Sequence, residues 1–261
     1  MSGLRRFFIP GCKAGARILH NYFSKMKKYA RHPEKYPIEE RSLNGKILAA
    51  KVSNDLSVIT YIEGLENIPN DQFSYFVGNH LSEFDPFIPF AMLDKPVSYI
   101  GKYEIRNFPF VGTFLKSLSG EFMDRKDLKQ SLKVMGRIEE DLKKQTKNWV
   151  IFPEGTRNKD SRSLCLNFHH GTFRPPMRAG VPIVPFVIIG TDRVFRSNPI
   201  YKKCPISVKI LKPITFNEYK NMTSQELASE VRTRIQRVLS FEMREKDHLK
   251  MKELNPNYHP F

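Results

Sequence analysis

The chain has 261 residues, 40% of them apolar and 20 of them phenylalanine, which is ample material for one large domain or two small ones. Its net charge of +16 predicts attraction to something anionic: nucleic acid, an anionic membrane surface or a phosphate-bearing substrate. Cys12, Cys165 and Cys204 are odd in number and form no C-x-x-C pair, which argues against a disulfide framework or structural zinc and for a reducing compartment.

Residues 1–31 carry eight Lys or Arg and no acid. After Pro10 and Gly11, the apolar residues Ile18, Leu19, Tyr22, Phe23 and Met26 recur at helical spacing among Lys13, Arg17, Lys25 and Lys28. Such a helix can lie in a lipid headgroup layer, or pack on the domain and leave a solvated basic face. Phe7, Phe8 and Ile9 are too short a run for a signal-peptide core, and no apolar run reaches the ~18 residues of a membrane span. The protein is expected to stay in the cytoplasm. Residues 31–37 read as a linker between two prolines, and residues 38–52 as a second helix.

Short β-rich runs then alternate with helical periods. Strands are expected at 57–63, 73–77, 97–100, 121–123, 149–152, 183–189 and 206–211. Short helices are expected at 86–93 and 108–118. Asp127 can cap a longer helix whose apolar face is Leu128, Leu132, Met135, Ile138 and Leu142. Thr223 and Glu226 form a capping box that opens a final helix with Leu227, Val231, Ile235 and Leu239 on one face. The result is an α/β domain over residues 55–243, a mixed central sheet flanked by helices. A basic helical membrane-docking region (1–54) precedes it, and a charged, loosely held tail (244–261) follows.

Three strand ends carry polar residues that make chemical sense together, since open α/β sheets bind ligands outside their carboxyl ends. The first is Asn79-His80 with Asp85. An imidazole is suited to general base work near neutrality, and a carboxylate can fix its tautomer and steady the imidazolium. A five-residue spacing on a regular helix would turn the two side chains apart, so a turn must lie between them. Asp85-Pro86 then reads as N-cap and first helical position. The second strand end is Gly101-Lys102, followed later by Arg125; the third is Glu154-Gly155-Thr156-Arg157. Cations here suit phosphate oxygens, and Gly155 lets backbone pass close to a bound group. Taken singly, Glu154 and Arg157 read as a surface ion pair, and Lys102 as a solvated strand end.

Asn79-His80-x4-Asp85, then Phe152-Pro153-Glu154-Gly155-Thr156-Arg157, then Val181-Pro182-Ile183-Val184-Pro185 resembles the glycerophospholipid acyltransferase family. Their order and spacing resemble the branch acting on 1-acylglycerol-3-phosphate. Residues 101–112 resemble that family's second block, and the likeness covers residues 58–215. It implies transfer of a fatty acyl group from acyl-CoA or acyl carrier protein to a lysophospholipid hydroxyl, giving phosphatidic acid, with no other cofactor and no metal. It further implies His80 as base, Asp85 as its partner and direct attack without an acyl-enzyme. Arg157, with Lys102 and Arg125, would hold the acceptor phosphate; Glu154, Gly155 and Thr156 would shape the acceptor side, and the turn after Pro182 would supply oxyanion donors. The family's amphipathic N-terminal helices imply peripheral or monotopic association with the cytoplasmic side of a membrane.

The chain departs from the family pattern at Phe168-His169-His170-Gly171, where Phe-Lys-x-Gly is usual, and at Pro175-Pro176, where a loop or a late helix start is expected. His169 and His170 lack a neighbouring carboxylate or cysteine and read as loop residues rather than metal ligands. Other acceptors, such as glycerol 3-phosphate, suit the same cations. A basic nucleic-acid-binding protein would also suit the charge, but no helix-turn-helix, zinc-finger or RNP-like pattern is present, so no nucleic-acid partner is expected. A Ser82 or Cys165 nucleophile has no base placed beside it by the sequence.

Overall fold

The computed structural model describes residues 3–159, 164–195, 203–239 and 241–255. Helix α1 (Gly3–Asn21) passes through a π-helical turn (Tyr22–Met26) into α2 (Lys27–Arg31), and α3 (Ile38–Asp55) follows. α1 thus runs through Pro10 and Gly11 instead of starting after them. Ala14 and Met26 are buried, and Ile18 and Tyr22 pack partly against the core, an i, i+4 row facing the domain. Leu19 and Phe23, off that row, are 46% and 64% exposed. Arg17 ties α1 to the end of α3 through Asp55 at 2.6 Å.

The sheet strands are β1 (Val58–Glu63), β2 (Tyr75–Gly78), β3 (Val97–Lys102), β4 (Glu121–Met123), β5 (Asn148–Ile151), β6 (Ile183–Ile189) and β7 (Cys204–Ile210). Their order is β1-β7-β6-β2-β5-β3-β4. Every neighbouring pair is parallel except β6 with β7, so β6, β2, β5, β3 and β4 release their chains at the same edge. β2, β5 and β6 are buried throughout, as their unbroken apolar runs require of strands covered on both faces.

The intervening helices are α4 (Pro89–Met92), α5 (Val111–Ser117), α6 (Leu128–Lys143), α7 (Arg174–Ala179), α8 (Phe216–Tyr219), α9 (Ser224–Val238) and α10 (Phe241–Leu254). They complete two cores, one on each face of the sheet. One gathers Leu48, Phe90 and Phe114 against Phe76 and Phe186; the other gathers Ile138, Phe173 and Val231 against Trp149 and Val187. Both capping groups expected for α9 are made, and Leu227, Val231, Ile235 and Leu239 are all buried.

Two expectations here need correction, on α6 and on the tail. On α6 the buried stripe is Val134, Ile138 and Leu142, whereas Leu128 and Leu132 are 71% and 49% exposed. Of the loop or late helix start expected at Pro175-Pro176 the structure has the second: α7 begins only at Arg174, and both prolines fall in its first turn, where the missing N–H groups have no helical acceptor to lose. The tail after residue 243 is not loose: residues up to Leu254 form α10, which packs against β7. Met251 and Asp247 are buried, and the Asn255 side chain bonds the backbone of Lys203 at 2.9 Å.

Candidate active site

The site is built where β2 ends. Gly78 closes the strand, and a Cβ there would lie 2.4 Å from the Phe186 ring. Asn79 is fully buried and continues the ladder with its side chain: its amide donates to Ile188 O at 2.9 Å and accepts from Ile188 N at 2.8 Å. The chain is thereby turned out of the sheet at His80. His80 N donates to Glu154 Oε1 at 2.7 Å, and His80 O accepts from Asn158 N at 2.7 Å. The imidazole lies on Phe152, ring centroids 4.7 Å apart and planes 20° from parallel.

His80 Nδ1 meets Asp85 Oδ2 at 2.6 Å. The turn that the five-residue spacing demanded is present, as Asp85 N donates to Ser82 O at 3.2 Å. Asp85 does not cap the helix after it. Its carboxylate points backward and accepts from Leu81 N at 2.6 Å and Ser82 N at 2.8 Å on the same Oδ2. Oδ1 accepts from the Thr191 hydroxyl, and Asp85 is 0% exposed. A carboxylate surrounded by donors is an acceptor, so His80 carries its proton on Nδ1 and presents Nε2 as a lone pair. The His80 side chain keeps 20% exposure, so the ring can be reached from solvent.

Glu154 is not on an acceptor-facing surface. It is 3% exposed, and its second oxygen accepts from Leu166 N at 2.8 Å, so both oxygens hold loops in place. Burial pushes its carboxyl above the usual range, against the pull of those two backbone N–H groups and of His80. Gly155 adopts φ +65°, and a Cβ there would sit 1.5 Å from the Arg125 guanidinium. Arg125 also donates to His169 Nε2 at 2.9 Å, which requires a neutral imidazole; burial first, then the Arg125 charge, lower the His169 pKa. Arg157 pairs with Glu83 on the loop that carries the dyad, and Thr156 is exposed beside it. Lys102 ends β3 next to the end of β4 and pairs with Glu104 at 3.0 Å, both side chains exposed.

His80, Asp85, Glu154 and Arg157 are therefore brought together, with Arg125 against Gly155. Pro182 is not among them. It precedes β6, and its carbonyl accepts from Tyr75 N at the opposite end of β2. Five residue steps separate Tyr75 from His80, ~16 Å at ~3.3 Å per residue, so its turn cannot serve an oxyanion at His80. Nor do the alternative nucleophiles fit. Ser82 is buried with its Oγ accepting from Phe84 N at 3.2 Å, and burial pushes the Cys165 thiol up to about 11. Among the described residues no cluster of three or more His, Cys, Asp or Glu could hold a metal ion.

Thr191 and Phe152 escaped notice as site residues in the sequence. Thr191 carries a usable signal: it follows Gly190 at the carboxyl end of a parallel strand, the position that drew attention to His80.

The profile of the acyltransferase family matches residues 59–189, which include every element of this site up to β6. The chain is 27% identical over 172 residues to the 1-acyl-sn-glycerol-3-phosphate acyltransferase of Saccharomyces cerevisiae, covering 66% of this chain and 56% of that protein. It is 28% identical over 169 residues to the Escherichia coli protein of the same name, covering 63% and 68%. The chain thus spans little more than half the length of the yeast relative. The crystal structure of the 1-acyl-sn-glycerophosphate acyltransferase PlsC from Thermotoga maritima has the same fold, with a TM-score of 0.64 over 93% of this chain and 94% of that one at 24% identity.

Proposed function

The chain belongs to the acyltransferase family, and from that premise we propose that it acylates the sn-2 hydroxyl of 1-acylglycerol-3-phosphate to give phosphatidic acid. The observation that carries the reading is the 2.6 Å contact of His80 Nδ1 with a buried, fully bonded Asp85. His80 Nε2 takes the proton of the acceptor hydroxyl while its oxygen attacks the thioester carbonyl. The tetrahedral intermediate collapses with cleavage of the C–S bond, and the imidazolium returns the proton to the departing thiolate. An ester forms without an acyl-enzyme. A positioned base of this kind contributes ~10²–10⁴-fold in rate, and Asp85 steadies the transient charge on the ring.

The acceptor's phosphate is taken by Arg125, Arg157 and Lys102. Each already has a partner that phosphate would displace or share: His169, Glu83 and Glu104. The last two are exposed carboxylates, which hold their cations weakly. The donor is an acyl thioester carried on coenzyme A or on acyl carrier protein, with no further cofactor.

Acceptor and product are lipids, so the enzyme is proposed to work docked on the cytoplasmic face of an anionic membrane, peripheral or monotopic. Exposed Leu19 and Phe23 support this, as do Phe108 at 63% and Val111 at 45% exposure. Tyr22 lies 4.7 Å from Phe110, which joins the π-turn to the β3–α5 loop in one apolar patch, and Lys27 sits over the rings of Tyr22 and Phe23. Among the described residues no helix is long and apolar enough to cross a bilayer.

The test is purified protein on anionic vesicles with 1-acylglycerol-3-phosphate and each thioester in turn, beside His80→Ala, with glycerol 3-phosphate and other lysolipids as competing acceptors. Phosphatidic acid from the native protein alone supports the proposal. Preference for another acceptor corrects the substrate, and full activity in the variant removes His80 as base.

A further inference from the structure

Asp85 is fixed from two sides, and one of them has no counterpart near it in sequence. Its Oδ2 is held by the local turn, through His80, Leu81 and Ser82. Its Oδ1 is held by the hydroxyl of Thr191, 106 residues away, and both residues are 0% exposed. Among the described residues no other group bonds Oδ1, so removing this hydroxyl would leave a buried carboxylate oxygen without that donor and free the group to rotate about its own axis.

The turn that presents Thr191 is itself clamped. Gly190 adopts φ +95°, and a Cβ there would meet the Arg193 guanidinium at 2.1 Å and Pro205 O at 2.8 Å. Arg193 donates through both terminal nitrogens to Asp247 of α10, at 2.5 and 2.8 Å, and to Pro205 O at 2.9 Å. The ion pair is almost wholly buried, with side-chain exposures of 12% and 3%. Such a pair contributes little net stability, but breaking it leaves an uncompensated buried charge. It serves to hold one geometry, and the geometry here is that of residues 190–193.

We propose that Thr191 is a positioning residue for acyl transfer, its hydroxyl fixing Asp85 and through it His80, and that α10 sets this contact through the Arg193–Asp247 pair. The proposal rests on His80 acting as the base. Thr191 touches no reacting atom; it decides which way the Asp85 carboxylate faces. The C-terminal helix thereby becomes part of the catalytic apparatus, although it lies outside the segment that matches the family profile.

The experiment compares Thr191→Val, which keeps shape and removes the hydroxyl, with Thr191→Ser, which restores it. Val is expected to lower kcat about tenfold or more with KM within about twofold, as loss of a buried hydrogen bond to a charged group implies. It should also move the acid limb of the rate–pH profile to higher pH, because an Asp85 without its Oδ1 donor concentrates charge toward His80. Ser should recover both. Asp247→Asn should change kcat in the same direction, and the double variant with Thr191→Val should lose less than the product of the two.

The downfield Nδ1–H proton resonance of His80, recorded on the folded protein, gives a readout independent of turnover. It should broaden or shift in Val and return in Ser. If the native protein transfers no acyl group, the functional reading fails while this resonance still tests Thr191. A Val variant with native kcat, pH profile and resonance would overturn the proposal. An Asp247→Asn variant that melts earlier yet keeps native kcat and resonance would overturn the role given to α10.

Discussion

Glu154 accepts the backbone N–H of His80 at 2.7 Å, joining the ends of β5 and β2 with a carboxylate that has no surface role. Its other oxygen takes Leu166 N, so a glutamine, with one acceptor oxygen, must turn an NH₂ toward one of the two donors. Glu154→Gln is expected to lower kcat about tenfold, with melting temperature reduced and acceptor KM little changed. Because burial raises the folded-state pKa of Glu154, the folded protein binds that proton more readily than the unfolded chain does. The stability this adds is fully present below the unfolded value and is lost as pH rises through the folded one. The stability of the native protein relative to Glu154→Gln should therefore grow as pH falls below neutrality, as denaturant melts at several pH values would show.

Asp85→Asn should be nearly as damaging to rate as His80→Ala, for a different reason. The amide can supply one oxygen to donors that now use two, and its NH₂ facing Nδ1 would force the imidazole proton onto Nε2, where the base must be free. A kcat loss of about 10²-fold or more is expected, within the ~10²–10⁴ range of a general base. Single-turnover measurement separates this from a binding defect.

Gly155→Ala should weaken acceptor binding more than chemistry. The position combines a left-handed backbone with a guanidinium 1.5 Å from where the methyl would go, so Arg125 must move. Acceptor KM is expected to rise several-fold for phosphate-bearing acceptors and much less for acceptors without phosphate. An equal rise for both classes would remove Arg125 from phosphate recognition.

Replacing Phe23 and Phe108 together by serine should cost little stability, since both are mostly exposed. Flotation with anionic vesicles should fall several-fold, and activity on vesicles should fall further than activity on detergent-dispersed acceptor. Unchanged flotation would move the docking surface elsewhere.

Thiol labelling offers a check on the fold. Cys12 is exposed, whereas Cys165 and Cys204 are buried with thiols pushed up to about 11 by burial. Alkylation of the native protein near pH 8 should add one label, and alkylation in denaturant all three. Inactivation that tracks Cys165 would revive that residue as a nucleophile.

Much of this architecture was legible because its causes are local. The apolar run of β6 and the Thr223 capping box depend on neighbours a few residues away, and the structure has both where the sequence placed them. His80 and Asp85 were legible for the same reason, since one turn closes the distance between them. Reading α6 from Leu128 failed because its buried stripe is set by what it packs on, not by its own periodicity. The loose tail was misread because its anchors, Arg193 and the backbone of Lys203, lie far back in the chain.

By itself, then, the sequence determined the order of strands and helices and the meeting of His80 with Asp85, since periodicity, capping and turn chemistry act over a few residues. Only the tertiary structure decided that Glu154 braces the His80 loop, that Thr191 holds Asp85 and that Pro182 stands at the wrong end of the sheet. Those roles belong to partners 74 and 106 residues apart and to the strand register. A hydrogen bond depends on position and direction in space, and parallel strands bring distant residues to one edge by an order that no local pattern encodes.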